Sequence, residues 1–305
     1  MPWSLVIDVT SSCNITPPCK GCYAAEYPHT EPTLQQLDGL VGEAQELGIN
    51  YLIFSGGEPL TREIELQELM RNHPFLNYGI FTNGTLIGEQ TPDRFLATGA
   101  VSSMFIHIEG DQEATDADMG KGSYERITNG MKILKEKGYP FGFSITVNRN
   151  NFEQVTNEKF INDLRQKGCL FGMFFPYIPV GRNLKPELML TSKQRQKLAD
   201  ISSKTQKEGL LAISPEELFR KNGGCMAGLY ASVTVEGKVQ PCVFIHASDS
   251  ASVYEQSLES TLKGSQLLRA TQAETKKESG SCLIRDRNDT LIKLIGQTGA
   301  TSTEK

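Results

Sequence analysis

Short apolar runs alternate with longer amphipathic stretches through the first 210 residues of the chain, and the pair repeats about six times. The apolar runs predict β-strands, at residues 4–10, 51–56, 77–83, 101–109, 141–148 and 170–178. The amphipathic stretches predict helices, at residues 33–48, 61–72, 92–98, 123–138, 152–167 and 192–208. Such alternation indicates an α/β fold with a parallel sheet covered by helices. Because a closed TIM barrel has eight units, six predict a partial (β/α)6 TIM-like barrel that is open on one side.

Polar side chains lie at the carboxyl ends of the predicted strands. In parallel α/β sheets the catalytic and ligand-binding residues lie at this end. Five such signals are present, at the loop 11–25, at Ser55-Gly56-Gly57-Glu58-Pro59, at Thr82-Asn83-Gly84, at His107-Ile108-Glu109-Gly110, and at the alternating Ser144, Thr146 and Asn148. The sequence therefore predicts a functional site on this rim of the sheet.

The loop after the first strand carries three cysteines, Cys13, Cys19 and Cys22, spaced C-x5-C-x2-C. Three thiolates from one loop can hold three irons of a cubane cluster, whereas an electron-transfer cluster normally has four cysteine ligands. The fourth iron would then be free to bind a small molecule and pass an electron to it. The same triplet completed by His29 could instead form a structural zinc site, or the cysteines could be plain thiols. The spacing alone leaves these alternatives open.

The composition narrows the class of protein. With 305 residues, 38% hydrophobic residues and a mean hydropathy of −0.32, the chain is typical of a soluble globular protein. No apolar run approaches the length of a membrane span, and the N-terminus lacks the pattern of a signal peptide. The formal net charge of −5 argues against a nucleic-acid backbone as the main partner. Seven cysteines without a secretion signal indicate a reducing compartment, so we expect a cytoplasmic protein.

The pattern changes after about residue 210. Residues 230–243 predict a β-hairpin that turns at Glu236-Gly237, with Cys225 before it and Cys242 at its end. A helix is predicted around residues 257–273, and a further cysteine follows it.

Three parts of the chain are distinguished on this basis: a core at residues 1–210, a smaller hairpin and helix domain at 211–292, and a disordered tail at 293–305. Cys169, at the start of the sixth strand, is predicted to be a buried core residue.

The cysteine loop from Cys13 to Tyr23, together with Gly56-Gly57-Glu58-Pro59 one βα unit later, resembles the radical S-adenosylmethionine (radical SAM) superfamily. The resemblance covers roughly residues 4–182. In that family a three-cysteine loop after the first strand carries a [4Fe–4S] cluster, whose fourth iron chelates the amino and carboxylate groups of S-adenosylmethionine. A GGEP-like segment after the second strand holds the amino group. The usual loop is C-x3-C-x2-C, so the two additional residues near Pro17-Pro18 put the detailed contacts of the loop in question.

The resemblance implies a set of cofactor contacts along the rim. The glycines would let backbone carbonyls approach the ligand, and Glu58 would accept from its ammonium group. The full set of implied cofactor contacts is Tyr23 near the adenine, Gly56, Gly57 and Glu58 at the amino group, and Asn83, Glu109, Ser144 and Asn148 at the ribose or carboxylate. Ordinary explanations also hold: Asn83-Gly84 is a common turn, and Ser144 could simply face the interior.

His107 is the candidate catalytic residue. It could contact the cofactor or the substrate, or carry a proton. It could equally be a buried histidine whose hydrogen bonds are satisfied within the fold.

The C-terminal part, over about residues 222–288, resembles the auxiliary-cluster region of the SPASM/Twitch subgroup of this superfamily. Cys225, Gly237 and Cys242 stand as C-x11-G-x4-C around the hairpin, and Cys282 would be a later ligand. Three cysteines allow one auxiliary cluster, as in the shorter Twitch form. Its fourth ligand would be Asp286, another side chain, water or substrate, and His246 could approach the cluster.

The resemblance implies an enzyme that reductively cleaves S-adenosylmethionine to methionine and a 5′-deoxyadenosyl radical. The radical would abstract hydrogen from a second substrate, expected to be a peptide or protein side chain. The alternatives are modification of a tetrapyrrole or another small cofactor precursor, and a non-catalytic iron–sulfur or zinc protein that senses redox state. The enzyme would need a reductant such as flavodoxin or ferredoxin.

Overall fold

The computed structural model describes residues 1–22, 31–181, 184–215, 217–218, 225–277 and 281–303. Within these residues, one sheet contains the strands β1 (Ser4–Thr10), β2 (Tyr51–Gly56), β3 (Asn77–Thr82), β4 (Val101–His107), β5 (Phe141–Val147), β6 (Phe171–Pro176), β7 (Leu211–Ile213), β8 (Ala231–Val233) and β9 (Val239–Gln240). Two further short strands, β10 (Ala247–Ser248) and β11 (Thr301–Ser302), pair with each other in antiparallel orientation.

Helices connect and follow these strands. They are α1 (Leu34–Glu46), α2 (Glu63–Asn72), α3 (Thr91–Leu96), α4 (Gln112–Met119), α5 (Ser123–Glu136), α6 (Phe152–Val155), α7 (Glu158–Lys167), α8 (Ser192–Lys207), α9 (Leu258–Gly264), α10 (Gln266–Thr275), α11 (Leu283–Asp286) and α12 (Asn288–Thr298).

The order of strands in the sheet is β7-β6-β5-β4-β3-β2-β1-β8-β9. In this sheet, as far as the described residues go, all neighbours from β7 to β8 pair in parallel, and the hairpin partners β8 and β9 are antiparallel. Helices occupy the connections between the parallel strands, which confirms the predicted α/β fold with a partial TIM-like barrel. The predicted hairpin is present, and it extends the main sheet beside β1.

One face of the sheet forms the core with the helices. Leu5, Ile7 and Val9 of β1 are fully buried in the same cluster as Leu37 and Val41 of α1. Burial of a side chain of this size contributes about 1.5–3 kcal/mol. This face therefore fixes the strands and the rim at their carboxyl ends.

The opposite, inner face carries a layer of aromatic rings. Phe81, Phe105, Gly142 and Phe171 are register neighbours on β3 to β6. The ring centroids of Phe81 and Phe105 are 4.6 Å apart, and those of Phe105 and Phe171 are 4.8 Å apart. A Cβ on Gly142 would lie 2.3 Å from the Phe171 ring, so the glycine makes room for it. The three rings are partly exposed and form an apolar surface below the rim.

Two predicted helices are interrupted, and α4 is not predicted at all. The stretch 152–167 forms α6 and α7 because the Asn157 side chain accepts from Phe160 N and begins a new helix. In the same way, Ser265 caps α10 and divides the predicted helix 257–273. Helix α4 is mainly polar, and only Thr115 and Met119 are buried, so it lacks an apolar periodicity.

The expected disordered tail is wrong for residues 293–303. Helix α12 continues to Thr298, and β11 pairs with β10. Leu291 is buried beside Leu283, and Leu294 and Ile295 pack against the same small cluster. These apolar contacts stabilise a segment whose last residues are polar in sequence.

None of the helices in the described part of the chain is both long and apolar enough to cross a membrane.

Candidate functional site

The Gly-Gly segment after β2 packs directly on the base of the cysteine loop after β1. Gly57 N donates to Thr10 O at 2.8 Å, and Glu58 N donates to Ser12 O at 2.8 Å. A Cβ on Gly56, which has φ +122°, would lie 2.2 Å from Thr10 O, and one on Gly57 would lie 2.1 Å from Ser12 O. Since real Cβ atoms do not approach a carbonyl oxygen this closely, glycine is required at both positions. The two motifs therefore meet at one point on the rim.

Glu58 ties the end of β2 to the end of β3. Its side chain is buried, and Oε1 accepts from Leu60 N at 2.9 Å and from Thr82 Oγ1 at 2.7 Å. Oε2 accepts from Asn83 N at 2.7 Å. Burial raises the pKa of Glu58, and these hydrogen bonds oppose that increase. The side chain thus has a structural role, and its predicted contact with a ligand ammonium group remains a prediction.

The substitution Glu58→Ala is expected to destabilise the metal-free protein by about 3 kcal/mol or more. It leaves two buried donors, Leu60 N and Thr82 Oγ1, and the partly buried Asn83 N without their acceptor, and each buried group costs about 1–3 kcal/mol. Urea denaturation measures the effect. Glu68→Ala, at an exposed position on α2, should change the free energy of unfolding by less than about 0.5 kcal/mol. Equal stability of the two variants would contradict the structural role of Glu58.

The cysteine loop is anchored by Ile15, which is buried. Thr16, Pro17 and Pro18 are exposed, so the two additional residues of the C-x5-C spacing lie on the outside of the loop. Cys22 N donates to Cys19 O at 3.2 Å. The longer spacing is accommodated without moving the loop away from the rim.

The Cys13 thiol receives hydrogen bonds from the backbone of Asn14 and Ile15 and from the Asn83 side chain, although burial raises its pKa. The same Asn83 side chain donates from Nδ2 to Asn14 Oδ1 at 2.9 Å. Donors of this kind stabilise a thiolate, the form that binds metal. The structure therefore places Asn83 at the first cysteine.

Cys13, Cys19 and Cys22 do not converge on a single ion. Among the described residues, no group of three His, Cys, Asp or Glu side chains could hold one metal ion. A zinc site would gather four ligands around one ion, His29 among them, whereas the thiolates of an iron–sulfur cube bind different irons. Three thiols are the donors that such a cluster takes. Tyr23 and His29 lie outside the described residues.

An ionisable cluster lies beside the loop. His107 Nε2 and Glu109 Oε1 are 2.8 Å apart, and Asp118 Oδ1 accepts from Lys20 N at 3.2 Å. Burial lowers the pKa of His107, but the hydrogen bond and charge of Glu109 outweigh it, so the pKa is raised. Burial and then the charge of Glu109 raise the pKa of Asp118. Burial followed by the charge of Asp118 raises the pKa of the Cys19 thiol.

Asp118 was not predicted from the sequence because α4 was not predicted. The sequence does contain a signal for the start of α4. The side chain of Asp111 accepts from Ala114 N and begins that helix.

Ser144 and Asn148 have different surroundings in the structure. Ser144 is buried and is the register partner of His107, so it lies beside the ionisable cluster. Asn148 Oδ1 accepts from the backbone N–H groups of Asn150 and Asn151 at 2.9 and 3.1 Å. It therefore closes the turn after β5. Its neighbour Asn151, which was not predicted, donates from Nδ2 to Glu109 O at 3.3 Å.

A second cysteine site lies beyond the hairpin. The thiols of Cys225 and Cys282 hydrogen-bond each other, which lowers the pKa of Cys225 to about 7 and raises that of Cys282. Burial raises the pKa of Cys242 to about 11 despite a hydrogen bond from Tyr230.

The thiols of the second site also receive hydrogen bonds from the backbone. Cys225 receives them from Ala227 and Leu283. Cys242 receives one from Phe244, and Cys282 receives one from Arg285. Three thiols lined by N–H donors form an environment suited to a cluster.

Asp286 and His246, the two side chains suggested near this site, already have polar partners within the protein. Asp286 Oδ2 accepts from Cys282 N at 2.8 Å and from Arg285 at 2.6 Å, so its carboxylate braces the ligand segment. His246 Nε2 lies 3.0 Å from Val243 O. Asp286 as the fourth ligand remains a prediction, and both of its carboxylate oxygens accept hydrogen bonds in this arrangement.

An open parallel barrel with a three-cysteine loop at the first strand, tied to a Gly-Gly-Glu segment at the second, defines a class of metal-dependent enzymes. Residues 7–164 match the Radical SAM superfamily, and the chain belongs to this family. Radical SAM proteins bind a [4Fe–4S] cluster and S-adenosylmethionine, and the glycine cradle and thiol donors of this chain fit both. The chain is thus a radical SAM enzyme, which excludes the non-catalytic alternative.

Two curated relatives extend over most of the chain. AdoMet-dependent heme synthase of Methanosarcina barkeri is 25% identical over 313 residues, covering 92% of this chain and 88% of the relative. PqqA peptide cyclase of Granulibacter bethesdensis is 23% identical over 268 residues, covering 83% of this chain and 70% of the relative.

The fold is also similar to that of SuiB from Streptococcus suis, solved with bound S-adenosylmethionine. The TM-score is 0.67 at 18% sequence identity, covering 85% of this chain and 64% of SuiB. This chain therefore spans less than two thirds of the length of SuiB. SuiB has also been solved with its precursor peptide SuiA.

Proposed function

We propose that Cys13, Cys19 and Cys22 hold the [4Fe–4S] cluster, and that the enzyme abstracts hydrogen from a peptide or protein side chain. When bound, the cluster and S-adenosylmethionine together supply a radical that removes hydrogen from an unactivated carbon. The observation that carries the proposal is the contact between the Gly-Gly segment and the base of the cysteine loop. Two backbone hydrogen bonds of 2.8 Å hold these segments together.

The residues of the chain position the ligands and shield them. Backbone carbonyls of the Gly-Gly segment would hold the amino group of S-adenosylmethionine. Glu58 holds the end of β3 so that Asn83 reaches Cys13. Below the rim, the rings of Phe81, Phe105 and Phe171 keep water away from a reacting carbon. His107 and Glu109, whose Nε2 and Oε1 atoms are 2.8 Å apart, share a proton and form the proton-carrying pair beside the cysteine loop.

A peptide is favoured by the charges at the rim. The described ionisable side chains beside the cysteine loop include two carboxylates, Glu109 and Asp118, with His107 and Lys20 as the basic groups. Carboxylates accept hydrogen bonds from amide N–H groups and from basic side chains. The relative that is a peptide cyclase and the fold shared with SuiB agree with this substrate class.

A tetrapyrrole is the second candidate. The partly exposed aromatic layer on the inner face offers a flat apolar surface on which a macrocycle could stack. The heme synthase relative, which covers 92% of the chain, agrees with it. The carboxylates that biological tetrapyrroles carry would meet the acidic rim, and for that reason we place the peptide first.

Cys225, Cys242 and Cys282 would hold one auxiliary cluster, which accepts the substrate electron or binds the substrate. Residues 211–292 would form the domain that carries it. A flavodoxin or ferredoxin would reduce the enzyme, and a cytoplasmic location belongs to the same proposal.

The substrate class is tested by isotope transfer. The reconstituted, reduced enzyme is incubated with S-adenosylmethionine and a peptide pool from cells grown in deuterium oxide. Abstraction from a C–D bond gives 5′-deoxyadenosine that is one mass unit heavier, and this is the expected result. Iron coproporphyrin III is incubated in parallel and should remain unchanged. Modification of the porphyrin without deuterium transfer from peptides would overturn the proposal in favour of the second candidate.

A further inference from the structure

Tyr230 forms a side-chain hydrogen bond to one of the three cysteines of the second site. Its hydroxyl donates to Cys242 Sγ at 3.0 Å. The backbone N–H of Val243 donates to Tyr230 Oη at 3.3 Å. Because the oxygen accepts from Val243, the hydroxyl proton is directed towards the sulfur.

The hairpin brings these two residues together. Ser232 on β8 pairs with Gln240 on β9, at the open end of the hairpin. Tyr230 directly precedes β8, and Cys242 lies two residues after β9. The pairing of the two strands therefore brings Tyr230 and Cys242 close together.

The geometry separates Tyr230 from an ordinary packing residue. A buried tyrosine hydroxyl usually finds a hydrogen-bond partner. Here the hydroxyl contacts a ligand sulfur, and that sulfur is also hydrogen-bonded by the backbone of Phe244. Hydrogen bonds to the sulfurs are one of the factors that set the reduction potential of an iron–sulfur cluster.

We infer that Tyr230 raises the reduction potential of an auxiliary cluster bound by Cys225, Cys242 and Cys282. This rests on the proposed function, since it requires the three cysteines to hold a cluster. The reduced cluster carries one more negative charge, part of which lies on the ligand sulfurs. A hydroxyl that donates to one of these sulfurs stabilises the reduced form more than the oxidised form.

The experiment uses full-length protein with Cys13, Cys19 and Cys22 replaced by alanine, so that only the second site can bind iron. The protein is reconstituted anaerobically, and its midpoint potential is measured by a redox titration followed by electron paramagnetic resonance. Tyr230→Phe in this background should give a lower midpoint potential than the parent. It removes the donor and keeps the ring.

Tyr254→Phe is the matched control. Its hydroxyl is buried and has no hydrogen-bond partner in the structure as described. The same chemical change there should leave the potential unchanged. An unchanged potential in Tyr230→Phe, or an equal shift in both variants, would overturn the inference. A parent that binds no cluster would overturn the proposed second site as well, which distinguishes the two failures.

If the Tyr230→Phe variant assembles no cluster, the inference is tested on the parent protein, which retains Tyr230. Tyrosine labelled with ¹⁷O at the hydroxyl is incorporated, and electron-nuclear double resonance is recorded on the reduced cluster. A coupling to ¹⁷O supports a hydroxyl in contact with a ligand sulfur. The absence of any coupling overturns the inference.

Discussion

Cys19→Ala is expected to abolish the formation of 5′-deoxyadenosine from S-adenosylmethionine. The substitution removes one of the three thiolates that hold the first cluster, and a cube with two protein ligands is not retained. The iron content after anaerobic reconstitution should fall from about eight to about four per chain. Liquid chromatography with mass spectrometry measures the nucleoside, and a colorimetric assay measures the iron.

Two other cysteine variants complete this test. Cys169→Ala changes a buried cysteine of the core and should retain both the iron and the cleavage reaction. Cys242→Ala should lose the second cluster and product formation while cleavage of S-adenosylmethionine continues. If Cys19→Ala and Cys242→Ala both cleave S-adenosylmethionine normally, the assignment of the two sites is wrong.

Gly57→Ala is expected to lower the rate of 5′-deoxyadenosine formation by about 100-fold or more. The new Cβ would lie 2.1 Å from Ser12 O and 2.6 Å from Ser12 C, so the base of the cysteine loop must move. A displacement of about 1 Å at a reacting centre can cost a factor of about 100. Single-turnover assays with the reduced enzyme measure the rate.

Gly39→Ala serves as the control for this substitution. Gly39 lies on the exposed side of α1, and a Cβ there would meet nothing within 4 Å. This variant should be as active as the wild type and up to about 1 kcal/mol more stable, because alanine favours helix. A Gly57→Ala enzyme that cleaves at the wild-type rate would show that the contact between the two loops is not needed.

The sheet and its active rim could be predicted because they depend on local patterns. Alternating apolar runs gave the six barrel strands, and the position of polar residues after each strand indicated the rim. The cysteine loop and the Gly-Gly segment are contiguous in sequence, so their chemistry can be read directly. Their mutual contact required the parallel pairing of β1 with β2.

The parts that could not be predicted depend on residues far apart in the chain. Glu58 was expected to face a ligand, but it is buried, and it accepts from Thr82 at the end of β3 and from Asn83 just after it. Asp118 reaches the cysteine loop from a helix without apolar periodicity. Tyr230 meets Cys242 because the short hairpin brings the segments before β8 and after β9 together.

The expected disordered tail failed for a related reason. Its polar last residues follow a helix whose apolar side chains find partners in the small cluster around Leu283. The polar composition of the tail does not show which distant residues its apolar side chains pack against.

The central claim is that an iron held by Cys13, Cys19 and Cys22 binds S-adenosylmethionine directly. The most direct measurement is electron-nuclear double resonance on the reduced protein, with Cys225, Cys242 and Cys282 replaced by alanine. The methionine amino nitrogen of S-adenosylmethionine carries ¹⁵N. A hyperfine coupling between this nitrogen and the remaining cluster is the expected result. A spectrum without that coupling, when S-adenosylmethionine is shown to be bound, would contradict it.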